Sequence, residues 1–119
     1  MNTQEALVFR LKKQEQEIMI DDVQYVLSEL DGMERDSYLN DIGNRMHVGT
    51  DKKSTVVKNF SGMQAFLVSL SLRVVETGKN VPVETIQKWP ARVIKKLHDL
   101  AVEFSALGEG GKKDEIKNV

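Results

Sequence analysis

The residues that could do chemistry in this chain are few, and each has a specific requirement to meet. Gly108-Glu109-Gly110-Gly111-Lys112-Lys113-Asp114 has the glycine and lysine content of a phosphate-binding loop. That loop needs Gly-x-x-x-x-Gly-Lys-Ser/Thr between a strand and a helix, so that backbone N–H groups cradle the phosphates and the hydroxyl reaches Mg²⁺. Here Ala106 stands at the first glycine position, and Lys113 or Asp114 stands where the hydroxyl should be. His47 and His98 are the only histidines. A zinc site would need close ligand spacing such as His-x-x-x-His or Glu-x-x-His, and neither occurs. A helix-end cation at His47 and a boundary residue at His98 account for both. Asp21, Asp22, Asp31, Glu34 and Asp36 are near one another, but acid–base catalysis needs carboxylates in a cleft with two different environments. Turn and cap duties explain them. Ser54, Ser61 and Ser69 have no evident base partner. With no cysteine in the sequence, thiol catalysis and disulfides are excluded. These observations favour a binding protein over an enzyme and imply no cofactor and no metal.

Basic residues are the remaining chemical signal. Lys88, Arg92, Lys95 and Lys96 fall on the polar side of a C-terminal amphipathic helix. A DNA-binding helix needs such clustering on one face. The net charge of −1 gives no bulk attraction to nucleic acid or to an anionic membrane surface. A solvated face explains the same residues, so a small DNA-binding regulator using Arg92, Lys95 and Lys96 is the alternative reading.

The elements that would carry these residues follow from periodicity. Val23, Tyr25 and Leu27 alternate with Gln24, Val26 and Ser28, which predicts a half-buried strand. The period changes at Asp31. Asp31 and Glu34 have the spacing of a capping box, and Tyr38, Leu39, Ile42 and Met46 then recur at helical spacing, which predicts a helix from about Gly32 to His47 stopped by Gly49. Glu15 to Ile20 alternates weakly and is joined to Val23 by Asp21-Asp22, so the pair predicts a β-hairpin. Residues 1–13 fit either helix or strand, and propensity tips them to helix. Thr50 to Asn59 predicts a loop with at most a short ordered piece. Ser61 and Gln64 have capping-box spacing before Met63, Phe66, Leu67, Leu70 and Val74, which predicts a second helix. Thr77-Gly78-Lys79-Asn80 predicts a turn, Val83 to Lys88 a short helix after Pro82, and Pro90 the start of a last helix. Val93, Ile94, Leu97, Leu100, Ala101, Phe104 and Leu107 form its apolar face, and Gly108 is its expected stop.

The fold expected is α+β: one predominantly helical domain over residues 1–108, with a small antiparallel hairpin near the N-terminus. Residues 109–119 are too poor in bulky apolar groups to order themselves and predict a disordered polar tail. No stretch approaches a membrane span of roughly 20 apolar residues. Arg10, Lys12 and Lys13 interrupt any signal-peptide pattern, so the expectation is a protein made and used inside a cell.

The stretch Tyr25 to Leu39, Tyr-Val-Leu-Ser-Glu-Leu-Asp-Gly-Met-Glu-Arg-Asp-Ser-Tyr-Leu, resembles the strand–acidic turn–helix signature of phage tail assembly chaperones. In that family a Tyr-x-Val/Leu-x-Glu-Leu strand leads through a small or acidic residue and a glycine into Glu-Arg-Asp-x-Tyr-Leu. The resemblance extends over about Glu15 to Leu107, through an apolar helix near Phe66 and a Gly78-Lys79 turn. Asp22 departs from it, since family members often have glycine there.

The resemblance implies a protein of phages or prophages that acts in the host bacterial cytoplasm during virion assembly and is absent from the finished tail. Its implied partners are the tape measure protein, which it keeps soluble, and the tail tube protein, which it helps recruit, with self-association along the rod. No membrane is implied, and nucleic acid is disfavoured. Candidate docking residues are Met63, Phe66, Leu67 and Leu70 on one helix and Ile94, Leu97 and Phe104 on the other. The family often makes a longer product by programmed frameshift, and codons for Gly110-Gly111-Lys112-Lys113 could supply a slippery heptamer.

Overall fold

The computed structural model of the chain describes residues 5–48, 55–57 and 59–107. The chain folds as a mixed α+β unit built on the hairpin. β1 (Glu15–Ile20) and β2 (Val23–Ser28) pair antiparallel, with Glu15 opposite Ser28 and Ile20 opposite Val23. Asp21 and Asp22 both take positive φ, 47° and 68°, so this turn uses the left-handed backbone that glycine adopts without strain. Asp tolerates that region better than most residues, which is how the hairpin closes without the glycine.

The capping box lies where the period changes. α1 (Gly32–Arg45) begins with the Glu34 N–H donating to Asp31 Oδ1 at 2.8 Å, while the Asp31 N–H donates to Glu34 Oε1 at 2.9 Å. Two free donors of the first turn are thus satisfied reciprocally. α1 ends at Arg45, earlier than expected. Met46 is extended and opens β3 (Met46–Val48), which pairs antiparallel with β4 (Thr55–Val57). The expected stop at Gly49 lies outside the described residues.

α2 (Met63–Ser71) corrects two expectations. Its N-cap is Gly62, in left-handed geometry at φ 73°, with no side-chain cap. Ser61 and Gln64 therefore do not form a capping box. The Ser61 N–H is held by Asn59 Oδ1 at 2.9 Å, one residue before the position from which a hydroxyl could cap. The second correction is at the other end. Val74 is not helical, because the chain leaves the helix at Ser71 and forms β5 (Leu72–Val74) against β2. Leu72 lies opposite Leu27 and Val74 opposite Tyr25, so two apolar cross-strand pairs replace one more helical turn. The sheet order is β1-β2-β5.

α3 (Val83–Gln87) and α4 (Ala91–Ser105) follow Pro82 and Pro90, which occupy the N-cap positions. Proline serves there because the N–H it lacks would have no helical partner. α4 ends with Ala106 in left-handed geometry at φ 52°. The core is drawn from every layer: Tyr25 and Leu27 of β2, Leu67 and Val68 of α2, Leu72, Ile86 of α3, and Leu97 and Ala101 of α4. Trp89, in the link before α4, meets the Tyr25 ring edge-on at 5.8 Å between centroids. No residue of α1 is buried.

Within the expected N-terminal helix, residues 5–13 are not helical, and residues 1–4 lie outside the described residues. Residues 5–14 form no regular element, with a bend at Lys12. A single amphipathic turn or two of helix has little stability without a surface to cover its apolar stripe, and the described residues provide none here. The expected tail, 109–119, and Gly108 lie outside the described residues.

Candidate protein-docking surfaces

The seven residues singled out for docking separate into two groups. Leu67 and Leu97 are core, at 0% and 3% exposure, and Leu97 reaches the surface only as part of a groove wall. Met63, Phe66, Leu70, Ile94 and Phe104 are half-buried. Helical spacing marks the stripe on each helix, but the packing of α2 on α4 decides which part of the stripe remains open.

Met63 and Ile94 meet in a concavity of about 460 Å³, whose other walls are Phe60, Gly62, Gln64, Ala65 and Gln87. Gly62 is favoured here by its backbone, and a larger residue would also displace the Gln87 side chain. Its φ is left-handed, and an added Cβ would come within 3.2 Å of Gln87 Nε2. Phe60 was not foreseen. It lies at the rim, largely exposed, and the sequence signal for it is a lone aromatic at the end of a polar stretch. Arg45 organises the approach: its Nε donates to Asp41 at 2.7 Å and its Nη1 to the Asn59 carbonyl at 3.2 Å. The last turn of α1 is thereby tied to the segment that presents Phe60.

A second groove, of about 600 Å³, runs between β1 and α4. Ile18, Met19, Ile20 and Asp21 form one wall, and Arg92, Val93, Lys96, Leu97 and Leu100 the other. Phe66, Leu70 and Phe104 line neither concavity.

The basic residues of α4 do not form one uniform surface. Lys95 is engaged by Asp99 at 3.1 Å, and His98 Nδ1 lies 3.4 Å from the other Asp99 oxygen. Hydrogen bonds from Lys95 and His98 hold the Asp99 carboxyl below its ordinary range. Arg92 and Lys96 instead flank the apolar groove. Among the described residues no group of three His, Cys, Asp or Glu side chains could hold a metal ion, and no helix is long and apolar enough to cross a membrane.

No family model matches the chain, and neither a curated protein nor a solved structure matches it.

Proposed function

We propose that this protein is a phage tail assembly chaperone that binds the tape measure protein, keeps it soluble and helps recruit tail tube subunits in the bacterial cytoplasm. The observation that carries the reading is the Tyr25–Leu39 segment. Its residues resemble the family signature, and they form one continuous device here: the buried strand β2, then the Asp31–Glu34 box, then α1. The apolar concavity around Phe60, Met63 and Ile94 suits the role. A tape measure protein is a long helical rod, and an amphipathic helix docks by placing apolar anchors of one face into such a recess. Phe60 and Met63 offer an aromatic ring and an adaptable thioether at its mouth. The glutamines Gln64 and Gln87 beside them offer uncharged hydrogen-bonding groups that suit a reversible contact.

Co-expression with a tape measure fragment, followed by pull-down through a tag on the fragment, tests the reading. Co-purification with a gain in soluble fragment is the expected result. A fragment that stays insoluble and captures none of this chain would overturn it.

A further inference from the structure

The N-terminal arm is unlike the rest of the surface. Leu7, Phe9 and Leu11 are 85%, 78% and 97% exposed, and Val8 is exposed beside them. Four bulky apolar residues in five positions are left in water by this chain, which is the pattern of a segment made to be covered. The arm departs at the Lys12 bend, and the chain behind it is anchored. Lys13 Nζ lies 3.1 Å from Glu34 Oε1, the Gln14 N–H donates to Glu29 Oε1 at 2.9 Å, and the Glu29 N–H donates to the Gln14 carbonyl at 3.0 Å. Those anchored residues are the ones a tight turn would need for the arm to fold back on its own β1.

What the arm lacks, β1 offers. β1 is an edge strand, so one row of its N–H and C=O groups has no strand partner among the described residues. It carries none of the lysines or prolines that usually blunt an edge. The groove between β1 and α4 is walled by β1 residues and by no β2 residue, so it borders this free edge and continues it with the apolar Ile18, Ile20, Val93 and Leu100. The charges are complementary. Ala6 to Lys12 holds Arg10 and Lys12 and no acid, whereas β1 and its turn hold Glu17, Asp21 and Asp22 and no cation, Lys13 and Glu15 being engaged within the chain by Glu34 and Arg73.

We propose that the arm of one copy adds as a strand to the β1 edge of a second copy, with its apolar side chains over the β1–α4 groove. The exchange is reciprocal, because the arm and β1 are consecutive in sequence. Two copies thus trade arms about a two-fold axis near Lys13 and Gln14. Backbone hydrogen bonds supply the pairing, and the groove and the charges supply its selectivity. The inference does not rest on the functional reading above, and it is tested without a tape measure protein.

Analytical ultracentrifugation of the full chain over a wide concentration range should show a monomer–dimer equilibrium. Removing residues 1–11 should weaken dimerisation at least tenfold, as should Arg10→Glu with Lys12→Glu. Adding Glu17→Lys to that charge-reversed arm should recover at least threefold of the loss. Phe9→Ser with Leu11→Ser provides a second arm variant, and circular dichroism confirms that each protein is folded. Hydrogen exchange should protect the arm amides, and the β1 amides that point away from β2, in the dimer only. A full chain that stays monomeric, a dimer indifferent to arm removal, a Glu17→Lys change that recovers nothing, or arm amides protected in the monomer would each overturn the proposal.

Discussion

The Leu30 backbone N–H donates to the Ser105 hydroxyl at 2.8 Å, joining the β2–α1 junction to the last turn of α4 across 75 positions of sequence. Both residues are half-buried. The bond fixes where the chain leaves the sheet, one residue before the Asp31 cap. Ser105→Ala should therefore cost about 1 kcal/mol, since the Leu30 donor loses its partner while the backbone stays in place. Urea denaturation of the two proteins measures the difference. An unchanged midpoint would mean that water replaces the hydroxyl without loss.

The two sequence-level caps make opposite predictions. Asp31→Ala removes the acceptor that holds the Glu34 N–H and should cost about 1 kcal/mol. Ser61→Ala should change stability by less than about 0.5 kcal/mol, because no side-chain bond caps α2. Gly62→Ala should cost about 1–2 kcal/mol for the left-handed backbone alone. Thermal melts of the three variants under one condition order them, and a Ser61→Ala loss as large as that of Asp31→Ala would contradict the cap assignment.

These contrasts show what the sequence could and could not convey. The hairpin and α1 were legible because the apolar period changes from two to helical at Asp31, where a capping residue and a glycine coincide. β5 was hidden, since Leu70 and Val74 are four apart and fit a helix, while the β2 edge that recruits Leu72 and Val74 is not local information. The Ser61 cap misled for a related reason: side-chain types signal capping, but the φ of Gly62 decides the register. Among the docking candidates, periodicity found the stripes containing Met63 and Ile94. It could not separate them from Leu67 and Leu97, because burial depends on how α2 and α4 pack. Phe60 has no periodic partner and so gave no pattern to read.

The hairpin turn should be improvable. Both Asp21 and Asp22 take positive φ, and glycine removes the Cβ penalty at such a position while adding freedom to the unfolded chain. Asp22→Gly should thus raise stability by up to about 1 kcal/mol, with no change in β1–β2 register. Chemical denaturation reads the gain. A loss would mean that the Asp22 carboxylate makes a local contribution larger than the backbone strain.

The tape measure contact should map to one concavity. Phe60→Asp and Met63→Asp each place a carboxylate at its mouth, on side chains outside the buried core. Either should weaken capture of a tape measure fragment by at least about tenfold, the scale of an interface anchor worth more than about 1 kcal/mol. Phe104→Ser lies away from both concavities and should leave capture unchanged if the protein remains folded. Equal losses for all three would mean that the contact is not confined to this concavity.

Stability should fall at high pH through Tyr38. Partial burial of the phenol against the fold raises its pKa above the ordinary 10.0, and the nearby Asp41 carboxylate adds to the shift in the same direction. The sign follows from the protonation states. The folded protein keeps the neutral phenol longer than the unfolded chain does, so Tyr38 contributes fully below pH 10.0 and its contribution is lost as pH rises through the folded-state value. The comparison is between the natural chain and Tyr38→Phe, which isolates this one phenol. Phe keeps the ring against the fold and removes the titrating group. The natural chain should lose stability more steeply than Tyr38→Phe between pH 9 and pH 11, a window bracketing the ordinary phenol value of about 10, and the two should run parallel below it. Parallel curves throughout would show that the phenol sees the same surroundings folded and unfolded, and that α1 does not hold Tyr38 against the domain in solution.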